Sequence, residues 1–520
     1  MGTVTSALID LLRTDLTAAH YSVSALTGLW GIEADAALRR NQRVPARRAL
    51  VALRETLGRE ETTATLARLF VLGEPVSREN LDAALPLLGA VGAEKLGLVV
   101  PVGDGDAVRP LLDLRPYSFI DAAGAGSWWI VSDLGELALG HPLGENHVLG
   151  VGGASLTLSG LIMPTPVESV LDLGTGCGIQ AMHAARHADR VVATDISARA
   201  LELAAINVRL NGIDNVEFRL GSLYEPVAGE RFDHIISNPP FVITPRAPGV
   251  PSYEYRDGGM EGDALVEAVV RGAVDHLTPG GVAQMLGNWE YRSDSDAFDR
   301  LETWLGENAL DAWIIEREVQ QPTQYAETWI RDGGTRPDTA DFDRLYEAWL
   351  EDFAARTVTR VGFGYLLLRR PVADKHTLRR LERLADALGH NAAGIGAHLA
   401  QCLAAHDWQA ATDDAQLARA TLTVASDVTE ERHYWPGQDD PTLMSLHQGS
   451  GFGRSVPLTT PLAALVGACD GELAVGAIVG ALAQLLEADE NDLLAELLPQ
   501  VRGLVSDGFL EAPAAAPGSH

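Results

Sequence analysis

The spacing of hydrophobic residues changes twice along the chain and divides it into three regions. Up to about residue 105, apolar residues recur at helical spacing, as in ALVALRETL (49–57) and TATLARLFVLG (63–73). Ser77 precedes another helical stretch as a candidate N-cap. Two short apolar runs then flank the GDG sequence at 103–105 and predict a hairpin. Helices followed by a hairpin indicate a winged-helix-like domain over 1–105, or a helical cap on the next domain.

The middle of the chain is predicted to contain most of the strands. Residues 106–165 form a strand-rich connecting segment, with SWWIVSDL and HVLGVGGASLTLSGLIM as its apolar runs. Within 166–371, strand candidates alternate with helical stretches such as SARALELAAINVRLNG. The strand candidates are ESVLDLGTG, DRVVATDIS, VEFRLGS, FDHIISNPP, GGVAQMLGN, AWIIEREV and RVGFGYLLLRR. This alternation predicts an α/β domain with a parallel sheet and helices on both faces.

Residues 372–511 return to helical spacing and are predicted to form a mainly helical domain. KHTLRRLERLADAL (375–388) and AAGIGAHLAQCLAA (392–405) begin it, and a turn-rich stretch at 430–458 predicts a β insertion. Helices followed by the short run FLEA again resemble a winged helix. Residues 512–520 are predicted to be a flexible tail.

Charge changes the picture only when it is divided by region. The 520 residues include 40 basic and 71 acidic side chains, a net charge of −31, which argues against nucleic acid as a partner. Residues 1–110, however, carry 12 basic and 13 acidic side chains, and 39–59 hold seven arginines against one glutamate. Residues 372–520 carry 8 basic and 20 acidic side chains. The arginine-rich stretch predicts either a local phosphate contact or a solvated helix face paired with nearby acids.

The three cysteines, Cys177, Cys402 and Cys469, lie far apart. Their spacing predicts neither disulfides nor a cysteine-rich metal site, as expected in a reducing cytosol. The N-terminal segment has no positively charged start, and no apolar run approaches the roughly 20 residues of a membrane span. We therefore expect a cytoplasmic location, with no membrane and no metal as partners.

Three motifs, on the first, second and fourth predicted strands of the α/β domain, carry the candidate chemistry. The first is VLDLGTGCGIQ, in which glycines let the backbone turn sharply and approach a ligand closely. The next strand ends in Asp195, which can accept hydrogen bonds from ribose hydroxyls or cap the following helix. The third motif is Asn-Pro-Pro-Phe at 238–241. Its prolines leave carbonyls free as acceptors beside the Asn238 amide and the Phe241 ring, which suits a planar NH2 group.

Together these motifs resemble the class I S-adenosylmethionine-dependent methyltransferases of the NPPY/F type. That group includes release-factor glutamine methyltransferases and several rRNA, tRNA and DNA amino-methyltransferases. The resemblance covers about residues 150–300. It implies a Rossmann-like sheet, here flanked by N-terminal and C-terminal mainly helical, winged-helix-like domains. It also implies S-adenosyl-L-methionine as the cofactor.

The resemblance also assigns site residues. The implied cofactor-binding residues are Asp172, Gly174, Thr175, Gly176, Gly178, Asp195, Ile196, Ser222, Leu223 and Asn238. The implied catalytic residues are Asn238, Pro239, Pro240 and Phe241. One departure concerns the adenine contact, because many relatives have Gly-Asp where this chain has Gly221-Ser222.

The implied mechanism needs no histidine, cysteine or metal as a catalyst. Acceptors at Asn238 and Pro239 would hold the two N–H groups of the target nitrogen and stabilise its growing positive charge. The Pro/Gly-rich loop after Phe241 is predicted to be a substrate lid or an ordinary connection. Trp289 is predicted to pack in the core rather than stack on a base.

The sequence leaves the substrate open among three classes: a base in RNA, a base in DNA and a glutamine side chain in a protein. An exocyclic amine of a base in RNA, rRNA or tRNA, is preferred, because no extra target-recognition region of the DNA-methyltransferase kind is visible. A glutamine side chain of a protein such as a translation release factor is the alternative. A non-catalytic binding module is a further alternative, against which the intact Asp172, Asp195 and Asn238 argue. The sequence does not indicate the oligomeric state.

Overall fold

The computed structural model describes residues 3–139, 143–306, 310–372 and 375–513. It divides the chain into two compact units. The first comprises Met1–Ser159 and Pro166–Arg383, and the second comprises Gly160–Thr165 and Leu384–His520. Most of the tail predicted at 512–520 lies outside the described residues.

The first unit opens with helices and a small antiparallel sheet. In chain order these elements are α1 (Thr3–Ala18), α2 (Val23–Leu38), α3 (Val44–Leu57), α4 (Thr62–Leu66), a π-helical turn (Ala67–Val71), β1 (Val76–Ser77), α5 (Arg78–Ala84), α6 (Gly89–Lys95), β2 (Val99–Val102) and β3 (Ala107–Pro110). The strand order is β1-β3-β2. The predicted hairpin is confirmed, and the Ser77 hydroxyl caps α5 by accepting the Asn80 N–H at 3.2 Å. The predicted boundary at 105 falls inside this hairpin, because β3 pairs with both β1 and β2.

A long two-stranded hairpin connects this region to the central sheet. Its strands are β4 (Leu112–Asp121) and β5 (Gly124–Asp133), and α7 (Glu136–Leu139) and α8 (Gly153–Leu161) follow. The strand predicted in SWWIVSDL is confirmed as β5. The strand predicted at 147–163 is wrong, because residues 153–161 are helical and the Ser155 carbonyl accepts a hydrogen bond from Gln180 Nε2 at 2.8 Å. Short apolar runs fit a buried helix as well as a strand.

The central sheet has eight strands in the order β13-β11-β12-β10-β9-β6-β7-β8. Its strands are β6 (Val167–Leu173), β7 (Ala188–Asp195), β8 (Val216–Leu220), β9 (Phe232–Ser237), β10 (Leu277–Arg292), β11 (Asp311–Gln320), β12 (Val358–Arg369) and β13 (Arg379–Arg383). The intervening helices are α9 (Ile179–Ala184), α10 (Ala198–Leu210), α11 (Glu254–Asp257), α12 (Ala264–His276), α13 (Ala297–Leu305), α14 (Pro322–Asp332) and α15 (Ala340–Ala355), with a 3-10 turn at Glu225–Val227.

Two expectations about this sheet are corrected. All seven predicted strands form, but the sheet is mixed, because β12 runs antiparallel to both β10 and β11. The helix predicted to begin the third region is instead β13, which pairs parallel with β11. The sheet therefore extends beyond the predicted boundary at 371. Arg383 lies 3.2 Å from Glu316 of β11 and 2.6 Å from Asp296, so ion pairs hold the polar residues of this edge strand.

Helices cover both faces of the sheet, as predicted. Leu366 and Leu368 of β12 share a core with α12 and α13, whereas Val361 shares a core with α14 and α15. Side chains alternate between faces along a strand, so these two cores lie on opposite faces. A third core joins α9 and α10 to the N-terminal helices and the β4–β5 hairpin.

The second unit contains helices and two small sheets. Its elements are α16 (Gly396–Ala410), α17 (Asp414–Arg419), β14 (Thr421–Val424), β15 (Val428–His433), β16 (Leu443–Gln448), β17 (Ser455–Pro457), α18 (Thr460–Gly467), β18 (Asp470–Ala474), α19 (Val475–Leu486), α20 (Glu490–Ser506) and β19 (Leu510–Glu511). The predicted β insertion is confirmed as the sheet β15-β16-β17. The other sheet has the order β18-β14-β19. Its central strand, β14, precedes α18, α19 and α20 in the chain. None of the helices in the described part of the chain has the length and apolar character needed to cross a membrane.

Candidate active site

The turn between β6 and α9 is a glycine loop in left-handed conformations. Gly174, Gly176 and Gly178 have φ values of 77°, 56° and 87°. A Cβ atom at Gly174 or Gly176 would meet nothing within 4 Å, whereas one at Gly178 would lie 3.0 Å from the Cβ of Ala204 on α10. Two glycines of the loop therefore border open space, and the third allows the loop to pack against α10.

Asp172 is the last but one residue of β6 and is fully buried. Its Oδ2 accepts hydrogen bonds from the Thr175 hydroxyl at 2.6 Å and from the Ala181 N–H at 2.9 Å. Its Oδ1 is buried and has no hydrogen-bond partner. Burial raises the pKa of this carboxyl group to about 7, although both hydrogen bonds oppose the shift.

Asp195 ends β7 and holds the glycine loop from the neighbouring strand. Its Oδ2 accepts the Gly176 N–H at 2.9 Å and its Oδ1 accepts the Ser197 N–H at 2.8 Å. The N-cap of α10 is Ser197, so Asp195 is not the cap of that helix. The side chain of the neighbouring Ile196 is 66% exposed.

Ser222 and Leu223 follow β8 at the same edge of the sheet. Leu223 has a φ of 48°, which is uncommon for a residue with a branched side chain, and it packs partly into the core beneath α12. The Ser222 carbonyl accepts the Glu225 N–H at 3.0 Å. The structure thus brings Ser222 and Leu223 to the strand ends, and their contact with a cofactor stays a prediction.

The tetrapeptide at 238–241 follows β9, between the ends of β6 and β10. Asn238 has a buried side-chain Oδ1 without a hydrogen-bond partner. Pro239 is buried, and the half-buried Phe241 ring lies 5.6 Å from that of Phe363 on β12. Asn238 thus presents an unsatisfied amide oxygen three residues before Phe241, at the carboxyl end of β9.

The loop after the tetrapeptide is anchored by Asp257. Its carboxylate accepts hydrogen bonds from the Thr244 hydroxyl at 2.7 Å, the Tyr253 N–H at 2.7 Å and Arg256 Nε at 2.9 Å. A Cβ at Gly258 would lie 2.9 Å from the Pro240 carbonyl oxygen, so the loop returns to the tetrapeptide at a point where only glycine fits. The role of this loop as a substrate lid stays a prediction.

Sequence reasoning missed two polar residues beside the tetrapeptide. Asn288 of β10 donates to the Tyr325 hydroxyl at 2.5 Å, and that hydroxyl also accepts the Ile243 N–H at 3.0 Å. The Asn288 side-chain oxygen is buried and unpaired. Asn288 adjoins Trp289, which is fully buried and donates to Glu316 at 2.7 Å, so the predicted packing role of Trp289 is confirmed. No sequence pattern singled out Asn288, because β10 also contains the polar residues Gln284 and Glu290.

The residues at the strand ends fit a nucleoside cofactor that carries positive charge. Asp172 Oδ1 is an unpaired buried acceptor, and Gly174 and Gly176 leave space where side chains would intrude. Among the residues that the structure describes, no group of three His, Cys, Asp or Glu side chains is arranged to hold a metal ion.

Comparison with known families divides the chain in three. Residues 152–308 match the family described as methyltransferase small domain. Residues 18–111 and 400–512 match two domains of unknown function, DUF7059 and DUF7782.

Three relatives show what the middle part is similar to. The ribosomal protein uL3 glutamine methyltransferase of Bradyrhizobium diazoefficiens is 43% identical over 147 residues, covering 26% of this chain and 45% of that protein. The release factor glutamine methyltransferase of Xylella fastidiosa is 40% identical over 131 residues, covering 23% and 47%. The ribosomal RNA small subunit methyltransferase C of Salmonella paratyphi A is 30% identical over 228 residues, covering 42% and 58%.

The chain thus spans about half the length of each of these relatives. The family match at 152–308 includes the strands that carry the glycine loop, Asp195 and the tetrapeptide. Residues 152–308 therefore match the methyltransferase small domain family, and the strands within them lie in a sheet of the Rossmann-like type.

Proposed function

We propose that this chain is an S-adenosylmethionine-dependent methyltransferase that acts on a planar NH2 nitrogen. The observation that carries the proposal is the buried, unpaired Asn238 Oδ1 next to Pro-Pro-Phe. Burying a polar atom without a partner is unfavourable, so such atoms in folded proteins call for an explanation such as a ligand. An N–H group of the substrate would satisfy this oxygen.

The cofactor residues proposed are those that line the glycine loop and the ends of β7 and β8. S-adenosylmethionine supplies an activated methyl group on a positively charged sulfur. Asp172 would accept a hydrogen bond from a cationic part of the cofactor through its free Oδ1. Asp195 would accept from ribose hydroxyls, and the exposed side chain of Ile196 would cover the base. Ser222 and Leu223 would contact the adenine from the opposite side.

The chain's own contribution to transfer is to hold the target nitrogen. The Asn238 Oδ1 and the Pro239 carbonyl would accept its two N–H groups and favour a pyramidal nitrogen with a free lone pair. The same oxygens would stabilise the positive charge that grows on this nitrogen. Phe241 would hold the plane of the substrate, and the proton could leave after transfer without a dedicated base.

For the substrate we propose an exocyclic amine of a base in rRNA or tRNA. Of the three relatives described above, the one aligned over 228 residues is named as an rRNA methyltransferase. Of the seven arginines at 39–59, Arg39, Arg47 and Arg54 pair with acids. Arg40, Arg48 and Arg59 are exposed and form no ion pair with the described residues. The three ion pairs fit the solvated-face alternative, and the charges of Arg40, Arg48 and Arg59 would be available to phosphates.

A glutamine side chain of a protein is the second candidate. The two relatives with the higher identities, 43% and 40%, are named as glutamine methyltransferases. A glutamine amide is also a planar NH2 group, so the tetrapeptide alone does not separate it from a base. A cytoplasmic location, where either substrate occurs, is part of the proposal.

The first experiment tests cofactor binding and the role of Asn238 together. Calorimetry of the full chain with S-adenosylhomocysteine should show binding by the wild type and by Asn238→Ala. Transfer of labelled methyl groups should fall at least about 100-fold in Asn238→Ala, as when one oxyanion-hole donor is removed from an enzyme. A wild type that does not bind would favour a non-catalytic module. Full transfer by the variant would refute the role of Asn238.

The second experiment identifies the substrate. Labelled methyl transfer is measured on RNA, DNA and protein fractions from cells that lack this protein. We expect label in RNA, and we expect Arg40→Gln with Arg48→Gln to raise KM more than it lowers kcat. Label in glutamine of the protein fraction alone would overturn the RNA proposal in favour of the second candidate.

A further inference from the structure

Asn207 of α10 connects the glycine loop to the β4–β5 hairpin. This side chain is fully buried. Its Oδ1 accepts the Val131 N–H at 2.7 Å, and its Nδ2 donates to the carbonyls of Val131 at 2.9 Å and Cys177 at 2.8 Å. Both amide hydrogens and the oxygen of Asn207 thus form hydrogen bonds. Two of these bonds are with the hairpin and one is with the glycine loop.

Asn211, one helical turn later, contacts the hairpin in the same manner but does not contact the loop. Its Oδ1 accepts the Trp129 N–H at 2.9 Å, and its Nδ2 donates to the carbonyls of Trp129 and Asn207 at 2.8 Å. The chain therefore provides a matched pair of asparagines. Only Asn207 of the pair donates a hydrogen bond to the Cys177 carbonyl.

The hairpin in turn is fixed to the N-terminal helices. Trp129 Nε1 donates to the Tyr21 carbonyl at 2.7 Å, and the Tyr21 hydroxyl donates to the Leu114 carbonyl at 2.9 Å. A continuous set of hydrogen bonds thus runs from the N-terminal helices through β5 and Asn207 to the residue between Gly176 and Gly178.

We propose that Asn207 is a positioning residue that makes cofactor affinity depend on the docked β4–β5 hairpin. The proposal rests on the function proposed above. The flanking glycines give the Cys177 peptide a wide conformational range, and the hydrogen bond from Asn207 restricts it. A loop already held in its binding conformation loses less conformational freedom when the cofactor binds. Because coupling between binding and docking is reciprocal, the cofactor also stabilises the docked hairpin.

The variants are Asn207→Leu and Asn211→Leu in the full chain. Both remove two hydrogen bonds to β5, but Asn207→Leu also releases Cys177. We expect the Kd for S-adenosylhomocysteine to rise about ten-fold in Asn207→Leu, within the usual range of coupling energies, and less than two-fold in Asn211→Leu. Equal Kd values in the two variants would overturn the proposal.

Hydrogen exchange of the wild type tests the same coupling without substitutions, in case Asn207→Leu does not fold. S-adenosylhomocysteine should slow exchange of the Val131 amide, which lies on the hairpin. An unchanged Val131 exchange rate in a protein that binds this ligand would overturn the coupling alone. Failure of the wild type to bind the ligand would instead overturn the proposed function, and this proposal with it.

Discussion

The buried carboxyl group of Asp172 makes the stability of the cofactor-free protein depend on pH. The proposed contact of Asp172 with the cofactor would explain why a carboxyl group is buried at this position. Burial raises the folded pKa to about 7, above the ordinary value of 3.8 expected when the chain is unfolded. The folded state therefore retains a proton between these values that the unfolded state has lost, and stability falls as pH rises from about 4 to 7. Asp172→Asn should remove this dependence.

We expect Asp172→Asn to exceed the wild type in stability by at least about 1 kcal/mol at pH 8, because one pKa unit corresponds to about 1.4 kcal/mol. Urea unfolding at pH 5 and pH 8 measures this difference. The same variant should bind S-adenosylhomocysteine at least about ten-fold more weakly, while wild-type affinity increases from pH 6 to pH 8. Parallel stability curves for the two proteins would contradict the assignment.

Gly174 and Gly178 allow two features of the glycine loop to be compared. Gly174 borders open space that a ligand could fill, whereas Gly178 packs against α10. Gly174→Ala places a methyl group in open space, so we expect it to cost about 1 kcal/mol from the left-handed backbone alone. Gly178→Ala meets Ala204 as well and should cost more. Gly174→Ala should nevertheless weaken S-adenosylhomocysteine binding several-fold. Calorimetry and thermal unfolding separate the effects, and wild-type affinity in Gly174→Ala would exclude this edge as the cofactor site.

The candidate site was predictable from sequence where its residues lie at or just after the ends of predicted strands. Asp172, Asp195 and Asn238 each come after an apolar run, so the topology alone brings them together. Asn288 and Tyr325 were not predictable in this way. Their contact joins β10 to α14, and only the packing of that helix shows that both adjoin the tetrapeptide.

At the scale of elements, the loop after β9 depends on one buried ion pair. Asp257→Asn should leave Arg256 without its buried carboxylate partner and loosen the segment that contains Arg246. We expect faster trypsin cleavage at Arg246 and reduced methyl transfer, with S-adenosylhomocysteine affinity unchanged. Asp332→Asn serves as the control, because Asp332 is half exposed and lies 3.6 Å from Arg256. Equal cleavage of both variants would show that Asp257 does not anchor the loop.

Two elements were predicted with the wrong secondary structure for related reasons. In 375–388, leucines at positions 378, 381 and 384 have helical spacing, but the intervening arginines form ion pairs along a sheet edge that no local pattern reveals. In 147–163, apolar and β-branched residues favour a strand. Residues 153–161 instead form a helix, and the Ser155 carbonyl of this helix accepts a hydrogen bond from Gln180 of α9. The long strand β12 was predictable, since its burial leaves a run of apolar residues and glycines at 361–368.

At the scale of the whole molecule, a short internal segment belongs to the second unit. Leu161 and Met163 are only 3% and 6% exposed, and the Ile395 N–H donates to the Gly160 carbonyl at 2.7 Å. A shortened chain that ends at Arg383 would uncover both side chains. We expect it to self-associate in size-exclusion chromatography. The same shortened chain with Leu161→Ser and Met163→Ser should give a monodisperse profile. A shortened chain that does not self-associate would show that residues 160–165 do not require the second unit to bury their apolar side chains.

Asn207 of α10 and Asn211, the C-cap of that helix, also occupy backbone groups on the outer edge of the hairpin. Four residues along a helix advance about 6.0 Å. Two residues along a strand advance about 6.8 Å. The amides of Asn207 and Asn211 therefore match the backbone groups of Val131 and Trp129, which point away from β4. A helix thus replaces a third strand, and it occupies the peptide groups through which an open β-edge would recruit another chain and aggregate.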